Sequence, residues 1–132
     1  MFKINNKFLK SSHHIIDLKL CTVRLYDNSK FPWIILIPKR NNITDITNLN
    51  PKDQLLLMNE IVYSSKVMKK IFNTSKLNVE KIGNIVPQLH LHIIARKKTD
   101  SSWPSSVWVV KEKLYSAKSL KKVINKIRMA FK

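Results

Sequence analysis

Two of the chain's four histidines, His90 and His92, stand two residues apart in Val86-Pro87-Gln88-Leu89-His90-Leu91-His92-Ile93-Ile94-Ala95-Arg96. Gln88 precedes the first by two, and only Leu89 and Leu91 intervene. In an extended strand alternate side chains share a face, so Gln88, His90 and His92 would project together, about 6–7 Å apart by strand rise. Leu89, Leu91, Ile93 and Ala95 would line the other face and pack on a helix. Three chemistries suit such a row. It could be two hydrogen-bonded histidines on a half-exposed sheet, with no further role. It could be part of a metal site, for which His-x-His is a known spacing, but no third ligand stands within the motif. It could also be a nucleophilic imidazole attacking phosphorus, with its other ring nitrogen held as a donor by a carbonyl and neighbouring donors on the phosphate oxygens.

The elements that must hold this row can be read around it. Leu20–Tyr26 alternates and predicts a strand, Asp27-Asn28-Ser29-Lys30 a turn, and Trp33–Ile37 an apolar strand ended by Pro38, together a hairpin. Asn50 as N-cap, Pro51 at the first helical position and Asp53 three after the cap predict a helix start. The spacing of Leu55, Met58, Ile61/Val62, Ser65, Met68 and Ile71/Phe72 carries that helix to about Asn73 as its apolar stripe. A second strand pair is predicted over Lys76–Ile82 and Leu89–Ala95, turning at Gly83-Asn84. Residues 1–14, ending in His13-His14, read as polar and irregular. Ser116–Lys132 predicts a terminal helix with Leu120, Val123, Ile124, Ile127 and Phe131 on one face and Lys118, Lys121, Lys122, Lys126 and Arg128 on the rest. That basic face is either solvated or a nucleic-acid or membrane-surface contact.

The 132 residues suit a single domain spanning 1–132, with a core of about 17–110 and the terminal helix as an extension. One cysteine, Cys21, precludes an intrachain disulfide. The longest apolar run, Trp33–Ile37, falls far short of the roughly 20 residues that cross a bilayer. With no signal segment visible, a cytoplasmic protein without a membrane partner is expected. The formal charge of +17 has two sources to weigh. Lysine exceeds arginine about fivefold, and Lys, Asn and Ile fill over a third of the chain, as A- and T-rich codons would produce. A nucleic-acid partner is the alternative, and either way the field draws phosphate-bearing anions to the surface.

The motif Gln88-Leu89-His90-Leu91-His92-Ile93-Ile94, after Gly83-Asn84, resembles the signature of the histidine-triad (HIT) family, in which three histidines alternate with apolar residues. Ile34-Ile35-Leu36-Ile37-Pro38-Lys39-Arg40, closing the hairpin, and the helix over 51–72 resemble the same family. Trp103-Pro104, Val107-Trp108 and the glutamine before the two histidines resemble a bacterial branch of it. The resemblance covers roughly 17–110. It implies an α+β fold, an antiparallel sheet of about five strands with one main helix, and a homodimer. It implies a nucleotide phosphohydrolase or nucleotidyl transferase acting on the α-phosphate of a dinucleoside polyphosphate or a nucleoside phosphoramidate. His90 would be the nucleophile giving a nucleotidyl-histidine, His92 would bind the phosphate or leaving-group oxygen, and Gln88 would take the first triad place, where it can hydrogen-bond but carry no proton. Asp27 or Asn28 would meet the ribose hydroxyls, and Asn78 and Asn84 match family amides less closely. No resident metal or cofactor is implied, although a divalent cation such as Mg could accompany a polyphosphate. Ile85 stands where the family often has a phosphate-binding hydroxyl, and Trp33 and Asn41 replace histidines that some members carry. These departures leave room for a catalytically weakened module that binds nucleotide, nucleic acid or protein through its basic surface. Trp103 and Trp108 are expected in core or dimer packing.

Overall fold

The computed structural model describes residues 1–132. Its centre is a five-stranded antiparallel sheet, in the order β1-β2-β3-β5-β4, built from β1 (Ser12–Asp17), β2 (Cys21–Tyr26), β3 (Trp33–Pro38), β4 (Lys76–Glu80) and β5 (Leu91–Arg96). The helices are α1 (Asn6–Ser11), α2 (Pro51–Ile71) and α3 (Ala117–Ala130). The α+β class, the five strands and both long helices match expectation. The amino terminus does not: residues 6–17 form a helical turn and an edge strand. Asn5 caps α1 by accepting from the Lys7 N–H, and Phe8 is buried. A polar-looking segment acquires structure here because β1 pairs with β2 and Phe8 packs into the cluster of Phe31, Trp33 and Ile94.

Both faces of the sheet are covered, which is why β3 and β5 are buried at every position. On one face Val23, Leu25, Ile34, Leu36, Leu91 and Ile93 meet Leu57, Val67 and Met68 of α2, Ile127 of α3 and Phe131 just after it. On the other, Trp33, Ile35, Ile37 and Ile94 meet Phe8, Phe31 and Val107. The terminal helix packs as its pattern predicts, with Ser116 as N-cap and Leu120, Val123 and Ile124 against the main core.

The long helix begins as read, with the Asn50 side chain accepting from the Asp53 N–H. Its buried face is rotated from the predicted stripe, of which Ile61, Met68, Ile71 and Phe72 do pack on the core. Leu57, Glu60, Ser64, Val67 and Met68 point inward, whereas Leu55 (70% exposed) and Met58 (59%) face outward. The reason is Glu60. Its two carboxylate oxygens accept the Leu20 and Cys21 backbone N–H groups, each at 2.8 Å, and so close the β1–β2 turn from the helix side. Hydrophobic spacing alone gives such a carboxylate no inward place.

Strand β5 also starts later than predicted, at Leu91, so the 81–90 segment is irregular and Gly83 adopts a left-handed φ of 69°. At its far end Arg96 is 2% exposed and donates to both carboxylate oxygens of Asp100, to Asn78 Oδ1, to Ser102 Oγ and to the Ser105 carbonyl. This one guanidinium ties β5, β4 and the 100–106 loop together. Its hydrogen bonds hold the Asp100 carboxyl down at about 2, below the ordinary 3.8. A depressed folded-state pKa means that the contribution is complete above about pH 4 and lost as pH falls through about 2. Asp100→Asn is expected to lower stability at neutral pH by about 3 kcal/mol, as loss of one partner of a buried pair does. In urea melts its deficit relative to the parent should close between about pH 4 and 2; a deficit independent of pH would assign it to packing.

Candidate active site

A cavity of about 360 Å³ opens on the sheet face away from α2, walled by Phe8, Ser11, Tyr26, Ile82–Val86, His90, His92 and Trp108. His90 leads into β5, and His92 is its second residue, so both imidazoles point to this face while Leu89, Leu91 and Ile93 fill the main core. The rings meet edge to face with centroids 4.9 Å apart. Both residues are buried, at 6% and 4% exposure.

The hydrogen bonds of the two rings fix their tautomers. His90 Nδ1 lies 2.7 Å from the Gln88 carbonyl oxygen. A carbonyl can only accept, so Nδ1 carries the proton and Nε2 keeps its lone pair. His92 Nδ1 lies 3.0 Å from Trp33 Nε1. An indole N–H can only donate, so His92 Nδ1 is the acceptor and its proton sits on Nε2. The site therefore offers one imidazole lone pair and one imidazole N–H. Burial lowers the His90 pKa from 6.5, opposed by the bond to the Gln88 carbonyl and reinforced by the Lys81 charge. Burial, with His90 beside it, takes His92 down to about 3. Both rings are neutral at physiological pH.

An aromatic frame holds this pair. Trp33 stacks on Tyr26 at 4.3 Å and meets Trp108 edge-on at 5.0 Å, and Trp108 in turn lies 5.3 Å from His92. The Trp108 indole donates to Glu80 Oε1 at 2.8 Å, which pins a side chain that is 47% exposed over the cavity. Phe8 of α1 meets the His90 ring at 4.5 Å. Sequence reasoning missed Phe8, placed Trp108 in packing, and read Trp33 as the start of an apolar strand and a replaced histidine. The available signal was that a buried indole N–H needs an acceptor.

The other residues singled out from the sequence fall in three places. Asn84 lines the cavity beside His90 and His92. Gln88 is not part of the cavity wall. Its Oε1 accepts from the Asn5 N–H at 2.9 Å and its Nε2 donates to the Lys3 carbonyl at 2.8 Å, so it clamps the amino-terminal segment like one rung of a ladder. The strand row expected of it is absent because β5 has not begun there. Asp27, Asn28 and Asn78 lie outside the cavity wall. Asp27 accepts from the Tyr115 N–H and pairs with His13 at 2.9 Å, Asn28 closes its own turn onto the Lys30 N–H, and Asn78 serves Arg96. Each is thus already tied to a partner within the chain. No three His, Cys, Asp or Glu side chains are grouped to hold a metal ion. His13 and His14 pair with Asp27 and Asp17, away from His90.

Residues 8–99 match the HIT domain family, and the chain belongs to it. A histidine triad protein from Bradyrhizobium japonicum is 33% identical and superposes with a TM-score of 0.95, over 99% of this chain and 98% of that one. A histidine triad protein from Marinobacter aquaeolei is 32% identical with a TM-score of 0.95, over 99% and 96%. The asymmetrical bis(5'-nucleosyl)-tetraphosphatase of Schizosaccharomyces pombe is 31% identical over 85 residues, 61% of this chain. That stretch spans 46% of the yeast protein's length.

The Gln88 clamp gives a direct expectation. Gln88→Ala should cost about 1–2 kcal/mol, two hydrogen bonds at their usual net worth. It should also speed trypsin cleavage after Lys3 and Lys7 while the β5 core stays intact. Unchanged cleavage would mean that Phe8 packing alone holds the segment.

Proposed function

We propose that the protein is a nucleotide phosphohydrolase or nucleotidyl transferase that acts on the α-phosphate of a nucleoside polyphosphate-type substrate through a covalent bond to His90. The observation that carries this reading is the pair of opposed tautomers. His90 Nε2 has a free lone pair while its Nδ1–H is held by the Gln88 carbonyl. That bond supports the ring as positive charge develops on it during attack. His92 offers its Nε2–H from the same wall, suited to a phosphate oxygen. The largely apolar walls of Phe8, Ile82, Ile85, Val86 and Trp108 suit a nucleoside, and Asn84 is the amide at hand for phosphate or sugar. Membership of the family and the partial likeness to a dinucleoside tetraphosphatase support the substrate class. A divalent cation such as Mg would arrive with the polyphosphate.

Two further parts of the reading rest on surfaces. A homodimer is supported by Leu55, Met58 and Val62, exposed along α2, and by Val79, exposed on the edge strand β4. The basic residues of α3 raise the local concentration of anionic substrates. A nucleic-acid partner has no comparable support, since α3 is docked by its apolar face and its lysines are spread over the exposed remainder.

Wild type and His90→Ala incubated with diadenosine tetraphosphate separate the readings. Wild type should release AMP and, on rapid denaturation, yield a nucleotidylated chain, and the variant should do neither. A folded His90→Ala protein that hydrolyses as fast as wild type would remove the nucleophile assignment. The depressed His90 pKa keeps the neutral nucleophile present below pH 6.5. The acid limb of kcat/KM should therefore fall below that of a free imidazole, and a limb above it would contradict the burial argument.

A further inference from the structure

We infer that this site cleaves only bonds whose leaving group departs as a stable anion, phosphoanhydrides and activated esters but not phosphoramidates, because the Trp33 indole locks His92 as a neutral donor. The inference rests on His90 acting as proposed and narrows the substrate class of that same site.

The lock is geometric. With Trp33 Nε1–H directed at His92 Nδ1 across 3.0 Å, an imidazolium at His92 would set two N–H groups against each other. Protonation thus requires breaking a buried hydrogen bond and leaving the indole donor without a partner. Trp33 cannot turn away to permit it. It is 1% exposed, stacked on Tyr26, and met edge-on by Phe31 and Trp108. The low His92 pKa agrees with this picture.

No other wall residue replaces the missing acid. Besides the two histidines, the only ionisable side chain lining the cavity is Tyr26, whose phenol is pushed above 10 by burial and by Glu112, which keeps it protonated but makes it a far weaker acid than an imidazolium. Ser11 contributes an alcohol. Glu80 is outside the wall with a carboxylate oxygen occupied by the Trp108 indole. Lys81, whose charge reaches His90, is outside it too, and its ammonium lies 3.2 Å from Asp45.

The electron balance then selects the substrate. The His90 Nε2 lone pair forms the N–P bond, and the bond from phosphorus to the leaving group breaks with its pair on the leaving atom. A bridging oxygen of a polyphosphate takes that pair as a stable anion, aided by the His92 Nε2–H without transfer of its proton. Water then attacks phosphorus, the N–P bond breaks, its pair returns to Nε2, and the water proton passes to solvent. Nδ1–H stays on the Gln88 carbonyl throughout. An amine leaving group differs, because its nitrogen must be protonated before the P–N bond breaks, and the site has no group to do it.

The test uses the full chain, with His90→Ala as control, on four adenosine 5'-phosphoryl substrates: diadenosine tetraphosphate, the p-nitrophenyl ester, the phenyl ester and the phosphoramidate. The inference expects His90-dependent turnover that drops steeply from nitrophenyl to phenyl ester. It expects the phosphoramidate to run about 10²–10⁴-fold below the tetraphosphate, the usual worth of a general acid. His90-dependent turnover of the phosphoramidate at a rate near the tetraphosphate's would overturn the inference and leave the nucleophile standing. Absence of His90-dependent turnover on all four would overturn both. Trp33→Phe supplies a second readout, since it removes the indole donor and frees His92 Nδ1. The phosphoramidate-to-tetraphosphate rate ratio should rise about tenfold or more, as acid catalysis becomes available. An unchanged ratio in a folded variant would show that Trp33 is not the lock.

Discussion

A buried indole N–H directed at an imidazole nitrogen sets what the second histidine of the His90–His92 pair can be. Trp33 and His92 come from different strands, and their hydrogen bond requires β3 to lie beside β5 in the observed register, with Trp33 opposite Ile94 and Ile35 opposite His92. Alternation then puts Trp33, Ile35, His92 and Ile94 on one face. The neighbouring bond, from His90 Nδ1 to the Gln88 carbonyl, comes from the irregular chain just before the strand. One ring is thus oriented by the sheet and the other by the loop that enters it. The two end with opposite nitrogens available, which identical residues in identical surroundings could not do.

The sheet makes this possible by being covered twice. The face under α2 and α3 carries most of the apolar core. The other face is closed in pieces, by α1 with its preceding residues, by 81–90, and by 102–110, and the cavity is the space these pieces leave over the histidines. Each piece is tied down by a polar side chain: Gln88 holds the Asn5 and Lys3 backbone, Arg96 holds the loop after β5, and Glu80 holds Trp108. Of the three only Arg96 is fully buried, and there a satisfied polar group fixes a geometry at little cost, whereas one left unpaired would be expensive.

Much of this was legible in the sequence where local rules decide. The Leu20–Pro38 hairpin, the Asn50-Pro51 helix start and the terminal helix follow from alternation, capping and helical spacing, and the structure has them close to where those rules put them. What local rules missed depended on partners far along the chain. Glu60 turned α2 because two N–H groups near Leu20 needed an acceptor. Residues 6–17 gained helix and strand because the sheet offered β2 an edge and His90 a neighbour in Phe8. In the site, the placing of His90 and His92 together could be read from their spacing, but Gln88, Asp27 and Asn78 were claimed by segments more than 80, more than 80 and 18 residues away. A side chain's hydrogen-bond partner across such distances is a property of the fold, and no spacing within a motif encodes it.

The central claim is that the two imidazoles are opposite neutral tautomers. Long-range proton–nitrogen NMR of the side chains, on protein labelled with ¹⁵N at histidine, reads this directly. The account predicts that His90 Nε2 and His92 Nδ1 are the nitrogens without protons, and that His92 stays neutral down to about pH 5, below where a free imidazole titrates. A His92 protonated on Nδ1, or one titrating near the ordinary value of about 6.5, would contradict it.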